Sequence, residues 1–375
     1  MFKLIKETTK GKARLGKLIT DHGTIPTPIF MPVGTAGTVK ALDRAALLEK
    51  VKAPVILGNT YHLYLRPGNH IMEKAGGLHA FMNWPGTLLT DSGGYQVFSL
   101  SQIRKLEYDG VVFKSHLDGS SHKFTPGSVM ETQRIFGSDI MMVLDECPPY
   151  PASESYVSKS LDLTHRWAKM CYESFLNSTD RYGHRQFLFG ITQGGVYPDL
   201  RKQSIETLSE IDFDGIAIGG LSVGEPSELM YEISDVSTDY LPKNKPRYLM
   251  GVGTPADLLE SVSRGIDMFD CVMPTRNARN GMLFTRNGII NIKNARWKEH
   301  FGSADPGFDS DLCRFHSMAY VHHLFRAGEI LGLQLASAHN LTFYLWLMGQ
   351  IRKNIENDTY EDWYPGMAKT MRKRV

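Results

Sequence analysis

Short apolar runs recur along this chain at 55–57, 87–89, 140–144, 187–191, 216–218, 248–250 and 268–272, and longer stretches of helical periodicity lie between several of them. This alternation constrains the fold more than any other feature. The longer stretches read YVSKSLDLTHRWAKMCYESFL from Tyr156, DLRKQSIETLSEI from Asp199 and ADLLESVSRGI from Ala256. A short run that is apolar throughout, rather than at every second residue, suits a strand covered on both faces. Strand, helix, strand repeated this often predicts a parallel sheet with covering helices.

A closed barrel is separated from an open sheet by the polar residues that end the runs: Asn59, Asp91, Asp145, Gln193, Gly219 with Gly220, Gly251 and Asp270. A barrel assembles its active site from the carboxyl ends of all its strands, whereas a doubly wound sheet confines it to one crevice. No G-x-G-x-x-G follows a run and no P-loop sequence is present. The expectation is an α/β fold, a TIM (β/α)8 barrel with insertions over residues 1–300 and a small C-terminal helical subdomain over 301–375. In the latter, FGSADPGFDSDL precedes two helical patterns, SMAYVHHLFRAGEILGLQLAS and LTFYLWLMGQIRKNI, and the closing MAKTMRKRV is expected at the surface.

Composition enters as exclusion. With 42% hydrophobic and 22% charged residues the chain reads as an ordinary soluble protein, and a net charge of +2 means that an anionic partner must be met by local patches. Basic residues crowd the first 17 positions, the stretch Lys293, Arg296, Lys298, and the end of the chain. The four cysteines are irregularly spaced, which is no disulfide framework and suits a reducing cytoplasm. No run approaches the length of a membrane span and the N-terminus lacks a signal-peptide core, so a cytoplasmic protein without a membrane partner is expected.

The chemistry concentrates in DMFDCVMPTRNARNG at 267–281. Asp270 sits in an apolar run read as the edge of a buried strand, Pro274 is expected to stop the regular structure, and Arg276 and Arg279 follow in a polar loop suited to phosphate. Taken alone, such an Asp reads more readily as a structural ion pair. A second carboxylate, Asp91, opens DSGGYQ, where Gly93 and Gly94 let a planar group approach the backbone and Tyr95 offers a face for stacking. A serine-protease reading of DSGG fails, because nothing specifies the His–Asp pair such an enzyme needs. Asp145, in DECPP, is a third acid at a strand end, and carboxylates gathered in one barrel repel unless they share protons or donors. With Gln193 and the backbone of Gly219, Gly220 and Leu221, they match the hydrogen-bonding edge of a purine.

In this order TDSGGYQVFSL, DECPP, GGLSVGEP, RYLMGVGTP and GIDMFDCVMPTRNARNG resemble the bacterial-type tRNA-guanine transglycosylases, and the resemblance extends from PTPIFMPVGTAGTVKAL to the final helix. It implies a TIM-barrel pentosyltransferase that exchanges the wobble guanine of the aspartate, asparagine, histidine and tyrosine tRNAs for 7-aminomethyl-7-deazaguanine, a queuosine precursor. It implies Asp270 as nucleophile on the ribose and Asp91 as general acid and base, the logic of retaining glycoside hydrolysis with a base as acceptor. It also implies Ser92, Asp145, Gln193, Gly220 and Leu221 around the base edge, Tyr95 and Met250 on its faces, and Arg276 and Arg279 on the anticodon loop. Cys147 and Val223 match the bacterial pattern, and the valine argues against the bulkier queuine. Homodimerisation follows from the same resemblance. The alternatives are a non-catalytic tRNA-binding partner subunit, which the retention of both aspartates opposes, and a related enzyme acting on DNA.

One departure stands out. The family carries C-x-C-x-x-C and a later histidine that hold zinc. Here Cys313 and His339 keep that register, 26 residues apart, but Phe308 and Ser310 replace the first two thiols. The expectation is therefore a chain with no cofactor and no structural metal, in which packing around Phe308 ties the loop to the later helix, the rival being a rewired site using Asp309, Asp311 or His316.

Overall fold

The computed structural model describes residues 1–100 and 104–375. Nine parallel segments make up its main sheet, and two of them, Ile29–Met31 and Val33–Gly34, are one strand interrupted at Pro32. Counting that pair as β1, the ring continues through β2 (Val55–Gly58), β3 (Thr87–Thr90), β4 (Ile140–Met142), β5 (Phe187–Thr192), β6 (Gly215–Ile218), β7 (Arg247–Leu249) and β8 (Met268–Asp270). It closes where Met268, Phe269 and Asp270 pair in parallel with Ile29, Phe30 and Met31. The (β/α)8 barrel read from the sequence is the fold.

Side-chain alternation divides six of the eight strands between two core clusters, while the buried apolar residues of β4 and β5 fall wholly in one. Phe30, Ile56, Leu88, Ile216, Leu249 and Phe269 share one core cluster with the helical Leu258, Val262 and Tyr344. Their neighbours Ile29, Leu57, Leu89, Ala217, Tyr248 and Met268 fall in the other. Two residues on from that second set stand Asn59, Asp91, Gly219, Met250 and Asp270, so the period of two carries one strand face directly into the polar rim.

Covering helices follow the expected pattern, at Glu154–Leu176, Pro198–Ser209, Ser227–Tyr240 and Pro255–Ser263. The insertion between β3 and β4 is an antiparallel sheet of Arg104–Glu107, Gly110–Lys114 and Ser121–Phe124. A second such sheet, Phe2–Glu7, Arg14–Thr20 and Gly23–Thr27, meets the amino-terminal ends of the barrel strands. There Arg14 lies 3.4 Å from Asp267, both fully buried, and donates to the carbonyl of Lys243.

Three expectations change. Pro274 does not end the structure at β8: it occupies the first turn of a helix, Met273–Arg279, where its missing N–H has no intrahelical partner to lose. The two late helices divide elsewhere, at Met318–Ala327 and Ile330–Glu356, because Gly328 takes the left-handed conformation that caps the first. The end of the chain is an ordered helix, Tyr360–Arg372, with Tyr360, Ala368 and Met371 buried. The long helix reaches back into the barrel: Asn340 bonds Phe284, Pro274 and Met282, and the Tyr344 hydroxyl donates to the carbonyl of Gly253. Among the described residues no helix is long and apolar enough to cross a membrane.

Candidate active site

Asp91 follows β3 directly, and its carboxylate is gripped on three sides. The Thr60 and Gly93 amides donate to Oδ1 at 2.8 and 3.2 Å, and the Asn59 amide donates to Oδ2. Asn59 also caps the helix Thr60–Leu65 by accepting from His62, so one residue both starts that helix and orients the acid. Gly93, at φ +77°, fits because a Cβ there would come within 2.9 Å of the Tyr61 amide nitrogen. Burial, with the charge of Asp270 adding to it, pushes the Asp91 carboxyl up to about 7 against its hydrogen bonds.

Asp270 ends β8. Both of its donors converge on Oδ1, the Tyr248 hydroxyl at 2.6 Å and the Gly251 amide at 2.8 Å. Among the described residues none donates to Oδ2. Burial raises this carboxyl above its ordinary value while the Gly251 and Tyr248 hydrogen bonds hold it down, and burial with the Asp270 charge pushes the Tyr248 phenol well above its own. Two carboxylates, one anchored with a free oxygen and the other raised to about 7 with the first one's charge contributing, suit a nucleophile and a general acid.

A third acid completes a polar slot. Asp145 Oδ2 accepts from the Gln193 amide at 2.7 Å and Oδ1 faces the Ser92 hydroxyl at 3.4 Å, while burial pushes its carboxyl up to about 6. Gln193 Oε1 is buried without a partner. Its amide fits only because Gly220 lacks a side chain: a Cβ there would lie 2.1 Å from that oxygen. Arg201, fully buried, donates to the carbonyls of Gly219 and Gly195 and so fixes the loops after β5 and β6. Leu221 and Cys147 are buried beside this slot, and Glu225 braces the loop through the amides of Ser222 and Val223. An orphaned acceptor, a tethered carboxylate and glycines that allow close approach suit a planar heterocycle with both donors and acceptors.

The remaining sequence-predicted residues lie at the rim. Met250, half-buried, follows β7 directly, and Tyr95 is half exposed at the start of the helix Gly94–Leu100. Arg276 is exposed in the helix after β8, close enough for its charge to act on both the Tyr95 phenol and the Arg279 guanidinium. Asn59, Thr60 and Tyr248 were not singled out as site residues. Asn59 carried a signal, since it ends the 55–57 run as Asp91 ends the next. Tyr248 carried none, because a tyrosine within an apolar run reads as core.

At the degenerate metal motif, Phe308, Ser310, Cys313 and His339 do converge. Ser310 Oγ lies 2.8 Å from His339 Nδ1, Cys313 Sγ lies 3.7 Å from it, and Nε2 donates to the carbonyl of Phe284 at 2.8 Å. Phe308 packs edge-on against the same imidazole with ring centroids 5.5 Å apart. The donor set does not fit a closed tetrahedral zinc: phenylalanine offers nothing, and the histidine lone pair faces a hydroxyl.

A family model described as queuine tRNA-ribosyltransferase matches residues 8–373. Relatives named queuine tRNA-ribosyltransferase include one from Caldanaerobacter subterraneus subsp. tengcongensis, 57% identical over 357 residues that span 95% of this chain and 94% of that protein. Another, from Thermoanaerobacter sp. (strain X514), is 55% identical with the same coverage. A third, from Lysinibacillus sphaericus, is 52% identical over 361 residues, 96% of this chain and 93% of that protein.

Proposed function

The chain belongs to the queuine tRNA-ribosyltransferase family, and from that premise we propose that it is a tRNA-guanine transglycosylase. Its reaction exchanges the wobble guanine of the aspartate, asparagine, histidine and tyrosine tRNAs for 7-aminomethyl-7-deazaguanine. Asp270 Oδ2 attacks C1′ of the ribose as the C1′–N9 bond breaks, and the guanine leaves with a proton from Asp91. The product is a covalent ribosyl ester on Asp270. The incoming base then gives its N9 proton to Asp91 and attacks C1′, which returns Asp270 to a carboxylate. Protons and charges balance over the two steps, and retention at C1′ follows from two displacements.

The observation that carries this reading is the asymmetry of the two acids: Asp270 is held through Oδ1 alone, and Asp91 has its carboxyl pushed up to about 7. Base selection falls to Ser92, Asp145, Gln193, Gly220 and Leu221, with Tyr95 and Met250 against its faces, and Arg276 and Arg279 take the anticodon-loop phosphates. The enzyme works in the cytoplasm as a homodimer, residues 301–375 forming a helical unit on the 1–300 catalytic barrel. No chemical step requires a metal. We also propose that no zinc is held at Cys313 and His339, the Ser310 hydroxyl and the Phe308 ring standing in for it.

Incubation with the cognate tRNA followed by denaturing electrophoresis tests the mechanism. The wild type yields a covalent protein–RNA band that Asp270→Asn lacks. A band of equal strength from the variant removes Asp270 from its role, and a non-catalytic tRNA-binding partner subunit or a DNA-specific enzyme gives no covalent band with tRNA at all.

A further inference from the structure

At the end of the barrel opposite the acids, four side chains from separate stretches meet: His22 in the turn before Gly23–Thr27, His79 in the helix Gly77–Met82, Asp139 just before β4, and His184 before β5. One donor atom from each lies within 4.8 Å of all the others. Asp139 is fully buried. The imidazoles of His22 and His79 stack with centroids 3.8 Å apart, and His184 stands edge-on to His22 at 4.6 Å.

Two of the rings spend one nitrogen as a donor to a backbone carbonyl. His79 Nδ1 faces the carbonyl of Trp84 at 3.0 Å and His184 Nε2 that of Gly137 at 2.8 Å, and since carbonyls only accept, those nitrogens carry the protons. His22 Nδ1 lies 2.7 Å from Asp139 Oδ1, so it is this nitrogen that faces the site, and a proton or a metal ion can fill the contact. A neutral ring tied to a carbonyl presents a lone pair on its other nitrogen. For His79 that is Nε2, which lies 3.2 Å from Asp139 Oδ2 yet is buried without a hydrogen bond. A lone pair set against a carboxylate oxygen calls for a cation between them, a proton or a metal ion. Protons on all three rings would place like charges within stacking distance. A carbonyl behind the far nitrogen, as His79 and His184 have, is the arrangement that orients histidine ligands toward a metal.

We propose that His22, His79, Asp139 and His184 bind one divalent cation of the zinc class, and that this ion ties the amino-terminal sheet to the foot of the barrel. Imidazole nitrogens with a single carboxylate select zinc and its first-row neighbours over magnesium or calcium. Four-coordinate zinc needs its donors roughly 3.3 Å apart, given bonds of about 2.0–2.2 Å, so donors now within 4.8 Å of one another close by at most about 1.5 Å. His22 and His79 are partly exposed. The site lies away from Asp91 and Asp270, and its role is structural rather than chemical. It departs from the metal-free expectation drawn from the sequence, because that reading weighed only the Cys313 and His339 remnant.

The test uses the full-length protein stripped of metal and titrated calorimetrically with Zn2+, then with Mg2+, and finally loaded with Co2+ for absorption spectroscopy. One equivalent of Zn2+ binds and raises the melting temperature, and Mg2+ does neither. His184→Ala and His22→Ala each weaken Zn2+ at least tenfold, whereas Cys313→Ala leaves it unchanged. The Co2+ form shows tetrahedral ligand-field bands without sulfur-to-cobalt charge transfer. Absence of Zn2+ binding, binding unaltered in both histidine variants, or a sulfur charge-transfer band each overturns the proposal.

Discussion

Asp91 shows how a single residue can be tuned by what surrounds it. Burial and the neighbouring Asp270 push its carboxyl up to about 7, while the Thr60, Gly93 and Asn59 donors restrain the shift. The proposed first step needs Asp91 protonated and Asp270 ionised, so the rate of adduct formation falls as pH rises through about 7. A rate that stays flat to high pH would contradict the assignment. The limits belong to the coupled pair rather than to either acid alone. The same shift has a thermodynamic sign. A carboxyl whose folded pKa is raised above the unfolded value of about 3.9 contributes most favourably at low pH, and that contribution is lost as pH rises through the folded pKa. Asp91→Asn therefore loses activity yet melts at a higher temperature than the wild type above pH 7, the gap closing toward pH 4. The acids were legible in the sequence because each ends an apolar run. Their partners were not, since Tyr248 hides among apolar neighbours and the Gly251 amide belongs to the backbone.

At the scale of elements, strands were easier to read than their connections. β2 to β8 follow from apolar runs, but the IFM run of β1 at 29–31 lies between Pro28 and Pro32 and was not read as a strand. Pro274 was misread because proline looks the same in sequence whether it ends a strand or opens a helix, and only the helix after it decides. The loop carrying Phe308 gives the clearest element-level test. Its ring is buried among His339, Phe343 and Trp346, at centroid separations of 5.5 to 5.9 Å. Phe308→Ala should cost about 3–5 kcal/mol of stability. Cys313→Ala, which removes one sulfur atom, should cost about 1 kcal/mol. Denaturant titration of both variants distinguishes the cases, because a thiolate-held zinc would make the cysteine the more costly loss.

For the whole molecule, the polar rim at the carboxyl ends of the strands and the histidine cluster at their amino ends divide chemistry from architecture. The rim gathers residues from every part of the barrel because the alternation of each strand delivers one face to it, and this is why the ends of the apolar runs were informative. The histidine cluster was invisible in sequence: positions 22, 79, 139 and 184 share no spacing, and only closure of the barrel brings them together. The central claim is base exchange on tRNA, and incorporation of labelled guanine measures it most directly. Incubated with unmodified cognate tRNA and labelled guanine, the protein should transfer label into the tRNA, and added 7-aminomethyl-7-deazaguanine should chase that label out irreversibly. A tRNA that stays unlabelled in the presence of folded protein would contradict the account.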